Sequence, residues 1–171
     1  MPTPSPTSPA AAAEEALAHC QIQTLLAVYY QALDAGDLDR LEREVMAQDA
    51  TWNVIQVAGT GRIEDEVSGR GAVIAWFRKM LGGGVSMSDG GVLHFLSTHA
   101  IRVEGDRATS TSHLQAVSQP TREILATGVA EAEHVRTDAG WRIRRYRVTE
   151  RITDADMQAL QATLSLALER A

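Results

Sequence analysis

Between Val92 and Val117 the chain reads VLHFLSTHAIRVEGDRATSTSHLQAV, two alternating arms joined by Glu104-Gly105-Asp106-Arg107. Alternation on both sides of a short polar Gly-Asp turn predicts a β-hairpin with one face toward a core. With Gly105 and Asp106 at the tip, Thr98 falls opposite His113 and His94 opposite Val117. Opposed residues share a face, as do residues two apart along a strand. His94, Leu96, Thr98, His113, Gln115 and Val117 are therefore expected on one face. His99 is expected on the other, with Ile101 and Ser110, in a structural role. The hairpin holds three of the chain's five histidines. Two of them among apolar and small polar residues on one face predict the wall of a pocket.

The segments around the hairpin say what could cover that wall. Met1 to Ala13, rich in Pro, Ser, Thr and Ala, reads as a disordered tail. Glu14 to Leu33 reads as a helix with Leu17, Cys20, Leu25, Val28 and Tyr29 as its apolar stripe. Asp34-Ala35-Gly36-Asp37 breaks it, and Asp37 caps a second helix over Leu38 to Met46. Ala50 to Val57 and Ile63 to Val67 read as strands, and Ala72 to Leu81 as a third helix. Gly82 to Gly91 is a small-residue loop that suits either a lid or a plain connection. Strands over Arg122 to Val135 and Gly140 to Glu150 follow the hairpin. Thr153 caps a last helix over residues 153–171, leaving 14–152 as the main domain. Helices followed by a meander, with an early strand pair, give an α+β class. A curled sheet of this kind would enclose a cavity between its concave face and the helices.

At 171 residues one domain can bury a sizeable core. A net charge of −6 argues against nucleic-acid and anionic-membrane surfaces. No apolar run reaches the roughly 18–20 residues of a membrane span, and the N-terminus lacks the basic-then-apolar order of a signal peptide. The single Cys20 allows no internal disulfide and is expected to be buried, which suits a cytoplasmic location.

The run Tyr29-Tyr30-Gln31-Ala32-Leu33-Asp34-Ala35-Gly36-Asp37-Leu38-Asp39-Arg40-Leu41, followed by Asp49-Ala50-Thr51-Trp52, resembles the cone-shaped NTF2-like superfamily. It is most similar to the SnoaL-like and scytalone-dehydratase-like branch, over about Glu15 to Thr149. The resemblance implies a cone-shaped α+β barrel, with a curved mixed or antiparallel sheet wrapped around N-terminal helices. Scytalone dehydratases carry an Asp matched by Asp34, a His-Phe pair matched by His94-Phe95, and a His-Gln pair close to His113-Leu114-Gln115. Bile-acid dehydratases and lindane dehydrochlorinase use an Asp–His dyad matched by Asp34 and His94, and the former a Tyr matched by Tyr29. The sequence departs from the scytalone pattern at Leu33, at Trp52-Asn53-Val54 and around Val129 to Glu131. The recognition set therefore differs while the dyad is kept.

These residue types suit elimination. A neutral histidine takes a carbon-bound proton, and a carboxylate on its other nitrogen fixes the tautomer and stabilises the imidazolium. His94 is the expected base and Asp34 its orienter. His113 would protonate a leaving group, and Tyr29 would polarise a carbonyl. Trp52, Leu96, Thr98, Gln115 and Val117 would line the substrate site. The reading is a cofactor-free dehydratase- or isomerase-type lyase acting on a hydrophobic cyclic small molecule. Aldol closure of a polyketide, and a non-catalytic ligand-binding or dioxygenase-small-subunit-like module, stand as alternatives on the same fold. His94, His113, Asp34 and Glu131 match no standard metal-site spacing, so neither metal nor cofactor is expected. The resemblance also implies a homodimer or homotrimer.

Overall fold

The computed structural model describes residues 8–82 and 91–158. The first helix, α1, spans Pro9–Asp34. Ser8 caps it by accepting from the Ala11 N–H at 3.2 Å, and Pro9 occupies its first turn. The alanines 10–13, expected in a tail, are helical because alanine carries the best intrinsic propensity and the cap supplies a start. The buried stripe is Ala18, Ile22, Leu25, Leu26, Tyr29 and Leu33, at helical spacing. Leu17 and Cys20 lie on the other side and are exposed, contrary to the expected stripe and to the expected burial of the thiol.

The helix ends in a Schellman turn. The Asp37 N–H reaches the Ala32 carbonyl at 2.8 Å and the Gly36 N–H reaches that of Leu33 at 3.0 Å. Gly36 sits at φ +67°, a conformation that favours glycine. Asp37 then caps α2, Leu38–Arg40, through the Arg40 N–H, and a π-helical turn follows over Leu41–Val45.

Among the described residues six strands form one curved mixed sheet: β1 Met46–Ala58, β2 Gly61–Ser68, β3 Val92–Glu104, β4 Arg107–Ser118, β5 Ile124–Thr137 and β6 Gly140–Arg151. Their spatial order is β2-β1-β6-β5-β4-β3, and only the β1–β6 pair is parallel. The third helix, α3 Arg70–Gly82, packs on β1 and β2. The core lies between the helices and the inner sheet face. Tyr29, Tyr146, Phe77, Ile22, Leu26 and Ile143 are almost fully buried there. Each such side chain contributes roughly 1.5–3 kcal/mol by leaving water.

The hairpin register agrees with expectation from the tip as far as Ala100 opposite Thr111. Thr98 and His99 then stand opposite the single residue Ser112, so the strand bulges and Thr98 takes φ +51°. Beyond the bulge His94 pairs with Ala116 and Ser97 with His113. The one-residue slip exchanges the faces. His94 and Leu96 stay inside, with Leu114 and Ala116 as their partners. Thr98, His113 and Gln115 move to the outer face, and Val117 goes with them as the partner of Leu93. His99, expected outside, turns inward and bonds Ser112 Oγ at 2.8 Å.

At the far end of β6, Ile152 N–H reaches the Val57 carbonyl and Thr153 caps a helical turn at 154–158 through the Asp156 N–H. Asp154 accepts from the Thr60 N–H at 2.8 Å, tying this turn to the β1–β2 connection. The rest of the expected C-terminal helix, and most of the Gly82–Gly91 loop, lie outside the described residues. Among the described residues no helix is long and apolar enough to cross a membrane.

Candidate active site

Asp34 is the last residue of α1, and His94 is the third of β3. The two meet with unusual completeness. One carboxylate oxygen lies 2.5 Å from His94 Nδ1, and the other accepts the His94 backbone N–H at 3.0 Å. The side chains are only 12% and 8% exposed, so solvent screens the pair weakly. An ionised carboxylate can only accept, so Nδ1 carries the hydrogen of this bond, and in the neutral ring Nε2 keeps its lone pair. A carboxylate at a helix C-terminus opposes the helix dipole, where a cation would be favoured. No basic residue occupies the last turn of α1. The placement thus serves the histidine at the expense of the helix.

Tyr30 lies one turn before Asp34 and shares its helix face. Its ring stacks on the His94 imidazole with centroids 4.9 Å apart. The Tyr30 and Tyr146 hydroxyls lie 2.7 Å apart. One donates to the other, and the accepting hydroxyl keeps its own hydrogen for a further partner. Burial holds the Tyr30 phenol well above its ordinary value, and the neighbouring Tyr146 adds to this. Burial likewise raises Tyr146, opposed by its bond to Tyr30. Both phenols are therefore neutral donors near pH 7.

Tyr29, expected to face the substrate, is 1% exposed. Its hydroxyl accepts from Trp52 Nε1 at 2.8 Å. Trp52, expected in the substrate wall, is buried in the core with Phe77 and packs against the half-buried Trp76. The two tyrosines are adjacent in sequence but about 100° apart on the helix. That rotation gives one to the core and the other to His94. Leu96 keeps its expected inward place, half-buried.

His113 is on the outer face, where its Nδ1 lies 2.7 Å from Thr98 Oγ1. Gln115 is exposed beside it, and Val117 is half-buried. The outer face also exposes Leu93, Phe95 and Val129. Glu131 points outward as well, so Asp34 and His94 share no side with His113 or Glu131. Among the described residues no group of three His, Cys, Asp or Glu side chains is gathered as a metal-holding cluster.

Glu150 is a further inward carboxyl that the sequence reading passed over. On β6 it shares a face with Tyr146 and Val148, and Gln56 Nε2 donates to it at 3.3 Å. Strand parity from Tyr146 was the available signal.

The cone of helices and curved sheet defines an NTF2-like protein. Within that superfamily the chain belongs to the SnoaL-like domain family, whose profile matches residues 14–147. An NTF2-like protein with a cystatin-like fold from Novosphingobium aromaticivorans is 25% identical, with a TM-score of 0.66 over 82% of this chain and 86% of that one. A protein of the same organism named "Putative Scytalone Dehydratase" is 18% identical, with a TM-score of 0.60 over 80% and 85% of the two chains. An NTF2-like "putative dehydratase" from Streptomyces avermitilis is 21% identical, with a TM-score of 0.56 over 75% and 92%. A search of curated proteins finds no match.

Proposed function

We propose that this protein is an acid/base enzyme of the dehydratase or isomerase type, acting on a hydrophobic cyclic small molecule. The observation that carries the reading is the two-point grip of Asp34 on His94. It presents a neutral imidazole with Nε2 as the base, held by its other nitrogen and its own backbone. As Nε2 takes a proton from carbon, the carboxylate stabilises the imidazolium. The hydroxyl hydrogen left over from the Tyr30–Tyr146 pair is suited to an oxygen on which charge builds as the proton leaves. That hydroxyl pair, with Leu96 and Leu114, gives a mainly apolar setting with one polar handle, which fits a cyclic substrate bearing a carbonyl or phenol. The dehydratase names of two structural neighbours agree with the reading. A homodimer or homotrimer remains the expected assembly, with the Leu93, Phe95 and Val129 face as the surface it would bury.

The test is a β-hydroxy cyclic ketone such as 3-hydroxy-1-tetralone, which loses water to give 1-naphthol. The wild type should accelerate both exchange of the hydrogens next to the carbonyl in D₂O and loss of water. His94→Ala should lower both by roughly 10³-fold or more, with an unchanged circular-dichroism spectrum. Wild-type protein that catalyses neither step, or a folded His94→Ala protein with wild-type rates, rules the proposal out.

A further inference from the structure

Elimination needs an acid as well as a base, and the outward turn of His113 leaves the expected acid position unfilled. The inner face supplies another candidate. Glu150 points inward from β6, two strand positions beyond Val148 and four beyond Tyr146. Its cross-strand neighbours on the two sides are Gln56 on β1 and Gly128 on β5. A side chain at 128 is forbidden because a Cβ there would stand 2.2 Å from the Thr149 carbonyl oxygen. The inner face beside Glu150 is therefore bare backbone.

His94 stands on the same inner face, three strands away. Ala116 is its direct partner and Ala126 is next in that row. Along the sheet from His94 to Glu150 the interposed residues on this face are thus Ala116, Ala126 and Gly128. Leu114 and Leu96 continue the Glu150 row on the other side. Two titratable groups accordingly flank a floor of small side chains bordered by leucines. The sheet is curved, and both groups stand on its inner face.

We infer that Glu150 is the acid of the same site: its carboxylic acid group donates a proton to the oxygen that leaves as His94 removes the carbon-bound proton. The inference rests on the proposed elimination. In that step the C–H pair becomes the new C=C bond and the C–O bond breaks. The departing oxygen takes the Glu150 proton and leaves as water. His94 ends as imidazolium and Glu150 as carboxylate, and proton return from the first to the second restores the site with no other reactant. Burial favours the protonated carboxyl that the step requires, against the opposing pulls of the Gln56 hydrogen bond and the His94 charge.

Glu150→Gln keeps the shape and the capacity to pair with Gln56 but cannot give up a proton. With 3-hydroxy-1-tetralone as the probe, this variant should retain hydrogen exchange next to the carbonyl within about 3-fold of wild type, because His94 is untouched. Water loss should fall by about 100-fold or more. Glu150→Asp, a shorter acid, should recover part of that loss, which a merely structural role would not predict. If a folded Glu150→Gln protein eliminates water at the wild-type rate, or if exchange and elimination fall together in both variants, Glu150 is not the acid. A wild type that shows neither exchange nor elimination overturns the underlying elimination reading instead. Should Glu150→Gln fail to fold, Glu150→Asp decides alone: loss of elimination with exchange kept supports the role, and equal loss of both overturns it.

Discussion

His94 and His134 are both inward-facing histidines on one sheet, at opposite ends of it, and their partners make them different objects. His94 is held by a carboxylate at 2.5 Å. His134 is 2% exposed, and its Nε2 lies 2.9 Å from Ser110 Oγ. Among the described residues its Nδ1 has no partner, and neither does the buried indole N–H of Trp141. A serine hydroxyl satisfies a neutral ring but offers no charge to balance a proton. Burial accordingly drives His134 down to about 4. One end of the interior is built to let an imidazole become charged, the other to keep one neutral. Burial alone therefore does not separate the two histidines, whereas a dedicated counter-charge does.

Removing the counter-charge should give the largest effect. Asp34→Asn keeps the shape but replaces one accepting oxygen by a donor, so the Nδ1–H tautomer and the developing imidazolium both lose support. Turnover of the hydroxytetralone should fall by roughly 10³–10⁴-fold. Stability should change by no more than about 1 kcal/mol. The lost bond to the His94 backbone N–H is partly offset by removing a negative charge from the end of α1. Steady-state kinetics beside a urea melt separate the two. A stability loss that accounts for the lost activity would make Asp34 a structural residue and erase the contrast with His134.

The same comparison shows what the sequence can and cannot disclose. The element order, the breaking of α1 near Asp34 and the pairing of that aspartate with His94 were readable. Glycine, aspartate and period-two patterns report local geometry, and the family-like run around Asp34 tied two distant segments together. The bulge at Thr98 was not readable. It requires a threonine at positive φ, which no propensity favours, and it exchanged the faces of His99 and His113. Tyr29 and Tyr30 could not be separated without the phase of the helix. Glu150 looked like the polar end of a strand until the register with Gln56 and Gly128 placed it inside.

His134 gives the middle-sized prediction, and it concerns stability. In the native state the ring stays neutral down to about pH 4. In the unfolded chain it takes up a proton from about pH 6.5. Between those limits the unfolded state binds more protons, so stability rises with pH across the window and is flat above it. The stability lost on acidification from pH 7 to 4 should include about 3 kcal/mol from this residue. In His134→Gln that part of the slope should disappear, as denaturant midpoints at pH 7.0, 5.5 and 4.5 would show. Turnover at pH 7 by the folded protein should not change. An unaltered pH slope would mean that His134 is protonated inside the fold, like a charged His94.

His113 should have the smallest effect, and it tests the bulge that separates inside from outside. Its ring is exposed and touches only the Thr98 hydroxyl among the hydrogen bonds described. His113→Ala removes one surface hydrogen bond and no buried area, so the domain should change by less than about 0.5 kcal/mol. Turnover should stay within about 2-fold of wild type, because the ring lies on the opposite side of the sheet from His94. His99→Ala, in contrast, unpairs the Ser112 hydroxyl on the inner face and should destabilise by about 1–3 kcal/mol. If His113→Ala proves the more damaging for catalysis, the strand runs without its bulge. The site would then have to be rebuilt around the register that simple alternation predicts.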